Sequence, residues 1–397
     1  MENSGDVGRR AVRTEFSRLQ VHGFRHLRDV DLPLAPLNVL IGANGVGKTS
    51  VLEVMSLLAA SADGRLDQTV SAAGGFSSLL TRDRDQPMRL ALVMPVKGHE
   101  PIEYELSLLA GGLGYGISTE RLTQRRNDPT AKSPSFKFFE SQGSDIRYFE
   151  GKVGKLVRPT WEHKPFETSL SQVPKMFREP EHFREVLASS ALYHALDVSP
   201  RGPVRLPQAM RPAQLPGKDG EDLVSCLYFL RETARDRYEA IEDALHAAFP
   251  NFERMDFPPV AAGSLTMSWK ERQYTQPLYA HQLSEGTLRF IWLVTLLQSP
   301  GLPTMTLIDE PEVSLHPEML RLLVGLFREA ATRTQLIVAT HSERLVSFLE
   351  PSELLACDLD EQGGTVVTRA SNLDLNAWLG EYSLGQLWGL GRLGAKA

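Results

Sequence analysis

Residues 40–50 read LIGANGVGKTS. The apolar run LNVLI leads into Gly42, and SVLEVMSLLAA (50–60) follows with apolar residues at helical spacing. A strand, a GxxxxGK[ST] turn and a helix in that order form a phosphate-binding loop. Successive backbone N–H groups at a helix N-terminus make a concave anion site. Glycine is needed where a Cβ would block close approach or an unusual dihedral. Gly42, Ala43, Asn44, Gly45, Val46, Gly47, Lys48, Thr49 and Ser50 are therefore the expected cradle of a nucleoside triphosphate. Lys48 would reach the β- and γ-phosphates, and the Thr49 hydroxyl would sit on Mg²⁺.

Such a site needs acids elsewhere. TMTLIDE (304–310) is an apolar strand ending in Asp309 and Glu310. An acidic pair after an apolar run is, taken alone, a plain strand end. Here Asp309 is placed to hold Mg²⁺ and Glu310 to orient and polarise the attacking water. QLIVATHSERLV (335–346) is another buried-type strand, followed by His341 and a helix. A lone histidine is usually a surface or core residue. The carboxyl end of a neighbouring strand, however, is where open α/β sheets keep their ligands. In QLSEGTLRFIWLVTLLQ (282–298), Ser284 reads as the N-cap of a long helix, with Gly286 just inside it.

The order is phosphate loop, LSEGT, LIDEPEVSLHP, then ATHS. It resembles the ABC-type ATPase heads of the SMC, RecF and OLD group. The resemblance implies that Ser284 and Gly286 belong to a signature motif that closes over the γ-phosphate held by a second subunit. Asp309 then matches the Walker B aspartate, Glu310 the catalytic glutamate, Ser314 to Pro317 the D-loop and His341 the switch histidine. Glu285 and Thr287 depart from the usual LSGGQ signature, a change common in the group. FSRLQVHGFRHLRDVDLPLAPLNVLIGANG (16–45) looks like the opening strands of such heads. GGFSSLL (74–80), LYHALDVSP (192–200) and LGEYSLGQLWGLGRLG (379–394) look like bacterial stand-alone ATPases of this kind. The Q-loop residue has two candidates, Gln68 and Gln86.

The expected fold is α/β: a P-loop NTPase of ABC-ATPase type, a mixed sheet flanked by helices plus an antiparallel β-layer. Its parts are a disordered N-terminal segment (1–15), a first lobe with the phosphate loop (16–120), an inserted β/helical subdomain (121–255) and a second lobe (256–397). Roughly 230 residues separate Thr49 from the signature, more than a compact nucleotide domain requires. The interval has no sustained heptad repeat, which excludes a long coiled coil. MRLALVMPV (88–96) and IEYELSLLA (102–110) read as strands of the β-layer. DLVSCLYFLRETARDRYEAIEDALHAAF (222–249) reads as one amphipathic helix with Leu223, Leu227, Leu230, Ala234, Tyr238, Ile241 and Leu245 on its buried face.

The chain of 397 residues carries a formal net charge of -6, which rules out a whole-chain basic footprint for nucleic acid. Its two cysteines, far apart, speak against a disulfide scaffold or a zinc site. No secretory signal or membrane-length apolar run is evident, so a cytoplasmic protein is expected. Residues 121–164 hold ten Lys or Arg against five Asp or Glu, interleaved with aromatics. That composition can grip phosphates and stack bases, but a solvated β-region with core aromatics is the favoured reading. Asp358-Leu359-Asp360 could mimic a nuclease DxD, yet DEQGG between two apolar runs reads as a hairpin turn.

The functional expectation is an ATPase with ATP and Mg²⁺ as cofactors. It would work as a homodimer around ATP, and would switch or clamp DNA or a separate effector protein such as a nuclease or toxin. The resemblance makes antiviral defence plausible. A repair and recombination accessory of RecF type is the alternative, a nuclease in its own right is disfavoured, and so is a transporter ATPase, because the resemblance is to the SMC-like subgroup and no membrane-length apolar run is evident.

Overall fold

At the centre of the computed structural model, which describes residues 15–82, 86–112, 114–126, 135–375, 378 and 382–393, lies a six-stranded sheet. Its order is β10 (Ala191–Tyr193), β16 (Met305–Asp309), β17 (Gln335–Ala339), β3 (Leu37–Ile41), β18 (Leu354–Leu359) and β19 (Thr365–Arg369). The first five run parallel and β19 returns antiparallel. Helices and a second sheet cover both faces, so β3 and β17 are buried at every position and read as unbroken apolar runs rather than alternating ones.

Alternate side chains feed two separate cores. Val39, Ile41, Ile308 and Val338 face one, built with α4 (Leu223–Thr233), α5 (Arg235–Ala248), α6 (Glu285–Gln298) and α7 (Pro317–Ala330). Leu40, Leu307, Ile337 and Leu355 face the other, built with α1 (Lys48–Ala62), α3 (Arg178–Ala188) and the β-layer.

That layer is an eight-stranded sheet in the order β2 (Leu27–Pro33), β1 (Arg18–Phe24), β4 (Met88–Val96), β5 (His99–Gly111), β6 (Gly114–Arg125), β7 (Ser135–Gln142), β8 (Asp145–Glu150) and β9 (Lys155–Val157). Every pairing is antiparallel. Residue 120, taken from the sequence as the end of the first lobe, lies within β6, and the segment beyond it prolongs the same sheet. Glu120 fastens this extension: although only 1% exposed, its carboxylate accepts from the Tyr104 hydroxyl at 3.0 Å and from the N–H groups of Ser169 and Leu170 at 2.5 and 2.9 Å. Two small sheets complete the second half: β11 (Gln208–Ala209) with β13 (Ser264–Leu265), and β12 (Phe252–Asp256) with β14 (Ser268–Glu271) and β15 (Leu278–Tyr279).

The helix expected over 222–249 is two helices, broken at Ala234, whose φ of -141° and ψ of 63° leave the helical region. Beside the break the Thr233 hydroxyl bonds back to the Phe229 carbonyl at 2.7 Å, though the same contact from Thr295 to Ile291 leaves α6 unbroken. Asp358 to Asp360 lead into the β18–β19 hairpin, where Asp360 accepts from the N–H groups of Gln362 and Gly364. Residues 1–14 of the segment expected to be disordered lie outside the described residues, as do 127–134 of the basic segment, Lys132 among them. Among the described residues, no helix is long and apolar enough to cross a membrane.

Candidate functional site: a nucleotide cleft at one sheet edge

The parallel strands put their carboxyl ends on one edge of the central sheet, and the expected site residues follow from that polarity. β3 runs into the glycine-rich turn, β16 ends at Asp309, and β17 delivers Thr340 and His341. The neighbours β10, β16, β17 and β3 set these residues in a row.

Backbone shape explains the glycines of the turn. Gly42, Gly45 and Gly47 have φ of 145°, 81° and 102°, which L-residues rarely adopt. A Cβ on Gly42 would lie 2.2 Å from the Cys357 carbonyl of β18, whereas one on Gly45 would meet nothing within 4 Å and stand in open space. Ala43 is half-buried, Asn44 and Gly45 are exposed, and Val46 anchors the turn in the core. Ser50, by contrast, is buried, with its side chain set into the start of α1.

Lys48 is 4% exposed. Its ammonium donates to the carbonyls of Gly42 and Ala43 at 2.7 and 2.9 Å and lies 3.5 Å from His341 Nδ1. Burial holds its pKa below the usual lysine value, against the opposing pull of Asp309, Glu310 and Glu312. Thr49 donates its hydroxyl to Asp309 Oδ2 at 3.3 Å. A hydroxyl and a carboxylate on adjacent elements are the hard oxygen donors Mg²⁺ takes when the rest of its shell is phosphate and water. The donor set and the open space at Gly45 therefore fit a Mg²⁺–nucleotide.

Glu310 adopts φ of 51° and its N–H donates to the Ala339 carbonyl at 2.9 Å. This turn swings the carboxylate towards His341, with Oε1 3.6 Å from Nε2. Two further residues join the site that the sequence did not mark. Glu312 Oε1 accepts from the Thr340 hydroxyl and the His341 N–H, both at 2.7 Å. It clamps the loop that carries His341, while Oε2 is buried without a partner. His194, just past β10, sets Nδ1 3.7 Å from Asp309 Oδ2. The bond to Asp309 raises its imidazole pKa above the ordinary value. Neither Gln68 nor Gln86 has a hydrogen bond to these residues among the described contacts.

Ser284 and Gly286 lie elsewhere. Ser284 caps α6, accepting from Thr287 N–H at 3.1 Å. A Cβ on Gly286 would lie 2.4 Å from the Ser314 carbonyl, so this glycine lets α6 rest against the SLHP turn. Among the described residues, no hydrogen bond or ion pair joins Ser284 or Gly286 to the 42–50 turn.

Among the described residues of the basic segment 121–164, Phe138, Phe139 and Tyr148 turn inward while Phe136, Phe149 and Trp161 are half-buried. Phe139 and Tyr148 are 0% and 1% exposed, within the core. Arg121, Arg125, Lys137, Arg147 and Arg158 pair with carboxylates, and Arg126 lies over the Phe136 ring.

The family described as "AAA domain, putative AbiEii toxin, Type IV TA system" matches residues 37–347, more than three quarters of the chain. Curated relatives match over short stretches. An OLD nuclease of Thermus scotoductus is 54% identical over 43 residues, 11% of this chain and 8% of its own length. A DNA replication and repair protein RecF of Thioalkalivibrio sulfidiphilus is 38% identical over 87 residues, 22% of each chain. The Septu protein PtuA of Bacillus thuringiensis is 30% identical over 88 residues, again 22% of each. The chain thus matches less than a quarter of the length of these relatives. Among solved structures, an SMC head bound to the C-winged helix domain of ScpA aligns with a TM-score of 0.55 at 12% identity, over 89% of this chain and 97% of that one. An SMC head with an extended coiled coil, bound to the C-terminal domain of ScpA derived from Pyrococcus furiosus, aligns with a TM-score of 0.50 at 10% identity, over 89% and 95%. These structures share its fold. With the phosphate loop and the acidic pair both inside the matched residues, the chain belongs to this AAA-domain family, and it is similar over short stretches to RecF and an OLD nuclease and in fold to SMC heads.

Proposed function

We propose that this chain binds and hydrolyses ATP with Mg²⁺, and that two copies close face to face over two nucleotides. The observation that carries this reading is the split site. Lys48, Thr49, Asp309, Glu310 and His341 converge on one cleft, while the capped signature helix stands apart from it beside Ser314.

In this reading the glycine-rich turn holds the phosphates through backbone N–H groups. Lys48 exchanges its bonds to the carbonyls of Gly42 and Ala43 for the β- and γ-phosphates. Thr49 and Asp309 hold Mg²⁺, which when bound neutralises charge on those phosphates. Glu310 orients the attacking water and draws its proton. His341, kept in place by Glu312, faces the γ-phosphate. Ser284 and the N-terminus of α6 supply the remaining donors to the partner's nucleotide, so a symmetric pair contains two composite sites. ATP then favours the joined state and hydrolysis releases it.

The output goes to a partner effector, or to DNA. The similarity to an OLD nuclease and to PtuA favours an effector in antiviral defence. The similarity to RecF keeps a repair accessory role as the second reading. The paired basic residues and the buried and half-buried aromatics of 121–164 make that segment a poor base-stacking surface.

The test is assembly. Glu310→Gln with ATP and Mg²⁺ is expected to be dimeric by light scattering and monomeric with ADP. Adding Ser284→Arg is expected to abolish the dimer while leaving nucleotide binding to the monomer intact. Loss of nucleotide binding with unchanged assembly in Ser284→Arg would place Ser284 in its own site and defeat the proposal.

A further inference from the structure

One guanidinium far along the chain from both halves of the site touches the approach to each. Arg205 closes a short 3-10 turn, Pro203–Arg205, that the core holds firmly. Val204 is fully buried, and a Cβ on Gly202 would lie 2.5 Å from the Asp197 carbonyl. From this base Arg205 Nε donates to the Val198 carbonyl at 2.8 Å. Its Nη1 points the other way, to the carbonyls of Leu283 at 3.0 Å, His281 at 3.2 Å and Ala280 at 3.4 Å. Val198 lies four residues past His194, which faces Asp309. Leu283 immediately precedes Ser284, the cap of the signature helix.

We infer that Arg205 is the positioning residue of the signature. It ties the 280–283 turn to the loop leaving β10, and so sets where Ser284 and the start of α6 stand relative to the nucleotide cleft of the same chain. A planar guanidinium suits the task, because its donors leave in fixed, divergent directions and satisfy carbonyls on two segments at once. A lysine ammonium at the same place reaches one segment at a time. Without the clasp these carbonyls turn to water and the segment before Ser284 gains freedom, which dimerisation must then remove. The inference rests on the proposed trans role of Ser284. It adds that the geometry of this half-site is set by a residue touching neither nucleotide nor partner.

The experiment uses the full chain with Glu310→Gln, so that bound ATP persists. Arg205→Ala and Arg205→Lys are each added to it, with thermal unfolding as the check on folding. Binding of a fluorescent ATP analogue is measured at concentrations too low for dimerisation, and the dimerisation midpoint is measured by light scattering. With Arg205→Ala, nucleotide affinity is expected to stay within about twofold while the midpoint rises by about tenfold or more, and Arg205→Lys is expected to fall between Arg205→Ala and the parent. Amide hydrogen exchange supplies a readout that needs no dimer: exchange at residues 285–288 is expected to rise about tenfold in monomeric Arg205→Ala, with residues 47–51 unchanged.

Equal loss of nucleotide binding and dimerisation, or unchanged exchange at 285–288, overturns the inference. If ATP fails to join the Glu310→Gln parent itself, the dimer reading fails, and the exchange measurement alone then decides the role of Arg205.

Discussion

Glu310→Gln separates chemistry from scaffold, because the structure fixes everything about this residue except its charge. Its N–H is held by the Ala339 carbonyl at 2.9 Å and its φ is 51°. Glutamine is isosteric and inherits both. The cleft therefore keeps its shape, Thr49 and Asp309 keep theirs, and ATP affinity is expected to be unchanged within about twofold, since the phosphate contacts survive. Two effects compete for the rate. The carboxylate also lies 3.6 Å from His341 Nε2, but the two side chains are 47% and 36% exposed. An ion pair that open is worth at most about 1 kcal/mol, or about fivefold in rate. Loss of a positioned general base costs about 10²- to 10⁴-fold, roughly 3–5 kcal/mol. Phosphate release at saturating ATP, measured beside nucleotide binding on the same sample, distinguishes the two. A fall of a hundredfold or more identifies Glu310 as the group that activates water. A fall of less than about fivefold with binding intact would reduce Glu310 to an ion-pair partner of His341 and refute the assignment.

Gly286→Ala is expected to destabilise the fold by about 1–3 kcal/mol in urea titration, because its Cβ must push aside the Ser314 carbonyl 2.4 Å away. Hydrolysis should fall with it while nucleotide binding to the monomer persists, since the 42–50 turn is not touched. Glu120→Ala leaves the N–H groups of Ser169 and Leu170 unpaired in a buried place and takes the carboxylate from the Tyr104 hydroxyl, which keeps Ser61 and Thr168 beside it. At roughly 1–3 kcal/mol for each unpaired group, partly offset by removing a buried carboxylate, a net loss of about 3 kcal/mol is expected from urea denaturation. ATP binding measured below the transition should be unaffected.

What could be read from the chain depended on how local the cause was. The phosphate loop was legible because a nest of N–H groups forces glycine at fixed spacing. β4 and β5 were legible because they alternate over a half-buried surface. The break at Ala234 was hidden, since the apolar spacing from Leu230 to Tyr238 runs through it without interruption. Glu312 lay within a recognised stretch, but its task depends on β16 and β17 being neighbours, a fact of topology. His194 follows a strand of only three residues, and the stretch LYHALDVSP that holds it gave it no task, so its approach to Asp309 appears only once β10 pairs with β16. At 121–164 the favoured reading of core aromatics in a β-region agrees with Phe139 and Tyr148, though the run by itself left a nucleic-acid surface open. Composition does not say which face a ring takes, and β7 and β8 turn Phe139 and Tyr148 inward.

The central claim is that each active site is made from two chains, and mixing two defective variants tests it most directly. Lys48→Ala lacks the lysine on the phosphates and Ser284→Arg lacks the cap that serves the partner, so each alone should be inactive. In a hybrid pair, one site carries both defects and the other carries neither. Neither variant is expected to pair with itself, so the pairs that form are hybrids with one of two sites intact, and hydrolysis should rise well above the sum of the two components, to at most about half the wild-type rate if the sites act independently. A mixture no more active than the sum of its two components would contradict the account.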